Sequence, residues 1–240
     1  MAMSATSFYD AFHRIFISST PIRMRKIAQS LGALSVTFGM LVTTAASAQG
    51  PRPQRGDVLN ATPDTYNAQW VTGISADGGA KGQSIEMTDF AYYSFRNWWD
   101  QKLSDVRKIR ASWLLSAVNS GGSPRFSLLL DANGDGDYEE PTGAVTDEDL
   151  NVYLDPATCS DASGGGWVTS DFTGDESGCT ITDSKGGVYV SDASGTAWSK
   201  LVASYPEAKV WFLFLIQDAT TGTNYVDRVM LDSALFTKKP

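Results

Sequence analysis

Residues 108–118 constrain this chain most. Ile109, Ala111, Trp113, Leu115 and Ala117 alternate with Lys108, Arg110, Ser112 and Ser116. A period of two sends neighbouring side chains to opposite faces, which predicts an antiparallel strand with one face in a core and the other near water. The turn NSGGSP at 119–124 follows, and residues 125–130 return with Phe126, Leu128 and Leu130 on one face. Further strands are predicted at 68–74, 83–88, 90–99, 150–154, 187–191, 209–217 and 225–232, separated by Gly-, Asn- and Asp-rich turns. Residues 209–217, KVWFLFLIQ, are nearly all apolar and predict a central strand covered on both faces. One helix is predicted at 197–205, where Trp198, Leu201, Val202 and Tyr205 share a face, Thr196 or Ser194 caps the start and Pro206 stops the run.

Residues 1–48 stand apart from this pattern as a leader. Arg25 and Lys26 precede an apolar run from 31 to 42, and Ala46, Ser47 and Ala48 follow it. That order of charge, apolar core and small residues predicts a secretory signal peptide cleaved after Ala48, with Met24 as an alternative start. The run is shorter than the roughly 20 apolar residues of a spanning helix, so no membrane insertion is expected once the signal is removed. The predicted location is secreted or extracellular, with the periplasm as the alternative. Residues 49–240 are read as a single domain.

The leader also carries the chain's one histidine, His13. A mature protein from Gln49 onward would lack a Ser-His-Asp triad, a Cys-His pair and any His-ligated zinc. The full chain has 19 basic and 27 acidic residues; removing Arg14, Arg23, Arg25, Lys26 and Asp10 leaves 15 and 26, a formal net charge of −11. This balance argues against nucleic acid as a partner and favours cations or neutral ligands. The two cysteines, Cys159 and Cys179, are expected to form one disulfide around a segment rich in Gly, Ser and Asp.

Many short strands with one helix before the penultimate strand predict an all-β fold, a two-layer antiparallel β-sandwich of jelly-roll type with one short helix. The run WSKLVASYPEAKVWFLFLIQDATTGTNYVDRVML at 198–231 and the run SGGSPRFSLLLDANGDGD at 120–137 resemble secreted jelly-roll domains of the galactose-binding-like or carbohydrate-binding-module type. The resemblance covers the second half of the mature chain. It implies a strand reading Tyr-Val-Asp-x-Val at 225–229, in which Asp227 makes structural hydrogen bonds, and a carbohydrate or other cell-surface polymer as partner.

The acidic loop after residue 130 supports two readings. Asp131, Asn133, Asp135 and Gly136 occupy the first, third, fifth and sixth places of a calcium loop, with Asp137 and Glu139 at the seventh and ninth. Glu140, Asp147 and Asp149 are available to complete such a set, but Thr142 stands where an EF-hand has its bidentate glutamate. Asn-Gly and Asp-Gly are equally the signature of a tight hairpin turn, which needs no cation.

Aromatic side chains that stack on sugars must be rigid and reachable, and Trp98, Trp99 and Trp167 border polar or glycine-rich sequence. Tyr92 and Tyr93 are weaker candidates with a core reading beside them, and Trp113, Trp198 and Trp211 read as core. No carboxylate pair is marked for glycoside chemistry, so no catalytic residue is assigned. Three functions follow: a non-catalytic module that binds carbohydrate or another extracellular polymer, a structural or adhesive exoprotein, and a carbohydrate-active hydrolase or lyase.

Overall fold

The computed structural model describes residues 65–95, 100–116, 124–139, 141, 148–160, 166–174, 178–218 and 222–236. All belong to one compact unit, Gln49–Pro240. Strands β1 (Thr65–Thr72), β2 (Gln83–Phe95), β3 (Gln101–Lys102), β4 (Ile109–Leu114), β5 (Arg125–Asp131) and β6 (Leu150–Leu154) are followed by β7 (Trp167–Asp171), β8 (Ile181–Asp183) and β9 (Val188–Tyr189). Helix α1 (Ala197–Ser204), β10 (Lys209–Gln217), β11 (Thr223–Leu231) and β12 (Ala234–Leu235) complete the order. Every pairing is antiparallel, and the strands form one curled sheet in the order β7-β4-β11-β2-β10-β5-β6-β8-β9.

The sheet becomes a two-layer, jelly-roll-like sandwich because β2 turns a corner. Residues 83–88 and the aromatic run after them, expected as two strands, form one strand bent at Asp89, which has φ 52°. Before the bend β2 pairs with β11, Thr88 opposite Thr223 and Ile85 opposite Val226. After it β2 pairs with β10, Ala91 opposite Gln217 and Phe95 opposite Leu213. The corner is held by hydrogen bonds in both directions. The Asp89 amide donates to the Gly222 carbonyl at 2.9 Å, the Gly222 amide donates to the Asp89 carboxylate at 2.9 Å, and Gln217 Nε2 donates to the Asp89 carbonyl at 2.7 Å. Each of these satisfies a group that leaves the strand ladder at the bend.

Between the layers lies the core that the alternation predicts. Ile109, Ala111 and Trp113 of β4 and Phe126, Leu128 and Leu130 of β5 are fully buried. The Trp113 and Phe126 rings meet edge to face at 5.3 Å, and Phe172, just past β7, meets Phe126 at 6.1 Å. A side chain of this size with no exposure makes Trp113→Ala worth about 3–5 kcal/mol of lost transfer and cavity energy. Helix α1 buries Ala197, Trp198 and Leu201 against this core, and Thr196 is its cap, its hydroxyl accepting from the Ser199 amide at 3.0 Å.

Two departures from the sequence reading have identifiable causes. The segment between the cysteines, expected to be stapled loop, contains strand β7, which among the described residues is an edge strand paired only to β4. The pairing of β10 with β5 shifts register between Val210 and Phe212, so Trp211 leaves the expected alternation and sits half-buried outside the core, stacked on Tyr138 at 6.1 Å. Cys159 and Cys179 form a disulfide, and both are buried.

Candidate functional site

Strand register assembles a row of side chains that no single stretch of sequence reveals. Gln69 of β1 stands opposite Glu86 of β2, Glu86 opposite Tyr225 of β11, Tyr225 opposite Leu114 of β4, and Leu114 opposite Trp167 of β7. Residues directly opposite in a sheet share a face. The neighbouring row, Trp70, Ile85, Val226, Trp113 and Val168, points into the core or packs against it. The row Gln69–Glu86–Tyr225–Leu114–Trp167 therefore lies on the outer face of one layer, the first, formed by β1, the part of β2 before Asp89, β11, β4 and β7. It crosses five strands, a length of about 19 Å at the usual strand spacing.

Each member is at the surface without being loose: Gln69 is exposed and the other four are half-buried. Gln69 Nε2 donates to Glu86 Oε1 at 2.9 Å, which orients the carboxylate. Burial, and the Glu86 carboxylate against its hydroxyl, push the Tyr225 phenol up from its ordinary value and keep it a neutral donor. One end of the row is thus polar and hydrogen-bonding, and the other, Leu114 and Trp167, is apolar. Trp167 was expected from its neighbours in sequence; Gln69, Glu86, Leu114 and Tyr225 were not, since only register brings them beside it. The alternation of Glu86 against Ile85 and Met87 was the one available hint that it faces outward. Trp98 and Trp99 lie outside the described residues. Of the two tyrosine candidates, Tyr93 is core, with Trp70 Nε1 donating to its hydroxyl at 3.3 Å, and half-buried Tyr92 stacks on Tyr66.

The acidic loop is organised around carboxylates that accept from main-chain amides. Asp131, almost wholly buried at the end of β5, takes the Gly134 amide at 2.7 Å and the Asp135 amide at 3.1 Å on Oδ1, and the Gly136 amide at 2.8 Å on Oδ2. Asp149 takes the Ala132 amide at 2.9 Å and the Glu139 amide, tying the two ends of the loop together. Burial, with Asp131 and Asp135 nearby, raises the Asp149 carboxyl above its ordinary value despite these bonds. Asn133 Nδ2 donates to Asp135 and to Glu148, the Asp137 amide donates to Asp135 Oδ1, and Asp135, Asp137 and Glu139 are exposed. Among the described residues no three His, Cys, Asp or Glu side chains form a group able to hold a metal ion. Glu140 and Asp147 lie outside them.

The same device recurs at the ends of β6, β7, β8 and β11. Asp155 takes the Ala157 amide, Asp183 those of Lys185 and Gly187, Asp171 those of Thr173 and Gly174, and Asp232 those of Arg107 and Lys108. Asp227 accepts from the Ala76 amide at 2.8 Å, the structural role its strand position implied. Burial pushes Asp171 up, but the Lys108 ammonium and the Thr173 hydroxyl outweigh it and hold the carboxyl below the usual carboxylate range. Much of the acidic surplus therefore closes loops, since amides just past a strand have no ladder partner and a carboxylate is a strong acceptor for them.

No protein-family model, curated protein or solved structure matches this chain. Among the described residues no helix is long and apolar enough to cross a membrane.

Proposed function

We propose that this chain is an exported, non-catalytic domain that binds an extracellular polysaccharide on the outer face of its first layer. The observation that carries this is the five-strand row ending in Leu114 and Trp167. It sets an apolar pair, against which a sugar ring can pack, beside an amide, a carboxylate and a phenol available to its hydroxyls. A rigid sheet presents these groups already ordered, so binding costs little side-chain entropy. The row carries one carboxylate, whereas hydrolysis at a glycosidic bond needs two carboxylates about 5–10 Å apart across a cleft. Export is supported by the signal-like leader together with the buried Cys159–Cys179 disulfide. Calcium at Asp131 is a separate proposal, supported by the spacing of Asp131, Asn133 and Asp135 and tested by titrating the protein with Ca2+.

Binding of the purified protein to a panel of soluble and insoluble polysaccharides tests the reading. Saturable retention on at least one polymer is expected. Absence of retention on every polymer overturns it and leaves the structural exoprotein.

A further inference from the structure

We infer that the polymer is a neutral polysaccharide and that Glu86 is the residue that excludes acidic ones. This rests on the polysaccharide reading of the row and adds to it the class of ligand and the group that selects it. Glu86 is the one formally charged member of the row and stands near its middle, between Gln69 on β1 and Tyr225 on β11. Its carboxylate is positioned from one side by the Gln69 amide at 2.9 Å and approached from the other by the Tyr225 hydroxyl.

An ionised carboxylate accepts hydrogen bonds and donates none. Held half-buried on a sheet face, it rewards a ligand that brings hydroxyl groups and repels one that brings carboxylates or sulfates. The rest of the row supplies nothing to offset that repulsion, because Gln69, Tyr225, Leu114 and Trp167 carry no positive charge. The chain as a whole is acidic, with a formal net charge of −8, so its long-range field opposes a polyanion as well. Hydrogen-bonding and charge complementarity therefore agree on a polymer rich in hydroxyls and free of anionic groups. Like-charge juxtaposition at an interface costs enough to shift affinity tenfold or more.

The experiment compares retention of the whole protein on a neutral glucan, a neutral xylan and a polyuronate of similar chain length, at low and at high salt. Wild type should be retained by a neutral polymer and at least about tenfold more weakly by the polyuronate at low salt, with the gap narrowing as salt rises. Glu86→Gln, which keeps the shape and removes the charge, should gain about tenfold for the polyuronate at low salt. Leu114→Lys, which adds a cation beside Tyr225 without touching Glu86, should move polyuronate binding the same way, so the test survives if one variant fails to fold. Wild type binding polyuronate as tightly as the neutral polymers, or neither folded variant gaining, overturns the inference and leaves polysaccharide binding standing. No retention on any polymer overturns both.

Discussion

Replacing Asp131 by alanine should destabilise the fold by about 3 kcal/mol. Its two oxygens accept from the amides of Gly134, Asp135 and Gly136, and the side chain is 1% exposed, so water cannot take its place from within. A hydrogen bond to a charged group is worth about 1.5–3 kcal/mol, and the loop amides, being nearer the surface, recover part of that from solvent; about 1 kcal/mol each is a fair net figure. In a domain of this size, about 3 kcal/mol lowers Tm by about 6–12 °C. Asp131→Asn keeps one acceptor oxygen and should cost roughly a third as much. Thermal and urea unfolding, each run with Ca2+ and with chelator, measure this. If the main-chain bonds organise the loop, the loss is the same in both conditions. A loss below about 1 kcal/mol, or one confined to the calcium-loaded protein, would refute the reasoning and place a cation where the amides were thought sufficient.

Gly134→Ala should cost more than Gly136→Ala, although both glycines have positive φ, 77° and 93°. A Cβ at Gly134 would stand 2.7 Å from the Glu207 carbonyl oxygen, a backbone atom with little room to move, whereas one at Gly136 meets nothing. We expect about 1 kcal/mol at Gly136 from backbone strain and at least 1 kcal/mol more at Gly134, read from urea midpoints. Alkali should unfold the protein. Burial raises the phenols of Tyr93, Tyr189, Tyr205 and Tyr225, so their contribution to stability is complete below pH 10, the ordinary tyrosine value, and is lost as pH climbs through the raised folded values. A Tm that stays flat from pH 9 to well above 10 would contradict this. Replacing both Cys159 and Cys179 by serine should cost about 3 kcal/mol by chain entropy, checked against the oxidised parent by calorimetry.

Where one face of a strand fills the core, the sequence announced it. β4 alternates, β5 carries Phe126, Leu128 and Leu130 on its core face, β10 is a continuous apolar run, and α1 repeats at helical spacing and is bounded by Thr196 and Pro206. β7 was hidden because an edge strand with one partner needs few core residues: Trp167, Val168 and Thr169 are only half-buried, and glycines and serines surround them. The bend at Asp89 was hidden because a positive φ at aspartate has no marker beyond the residue itself. Trp211 shows the converse, a correct strand with a side chain displaced by a local register shift. The site was legible only at Trp167. Glu86, Tyr225 and Leu114 come from strands far apart in the chain, and their meeting depends on pairing that a single sequence does not display. The spacing of Asp131, Asn133 and Asp135 suits both a cation loop and a carboxylate-closed turn, because both need oxygens aimed into a tight, glycine-broken bend.

The most direct test of the binding face is the double substitution Trp167→Ala with Tyr225→Ala, measured by affinity electrophoresis on the polysaccharide that retains wild type best. Both side chains lie outside the core cluster, so the fold should persist with a Tm within a few degrees of the parent. The account predicts loss of at least about tenfold in affinity, since each stacking and hydrogen-bonding contact is worth about 1 kcal/mol. A folded double variant that binds as tightly as wild type would contradict it and move the site away from the outer face of the first layer.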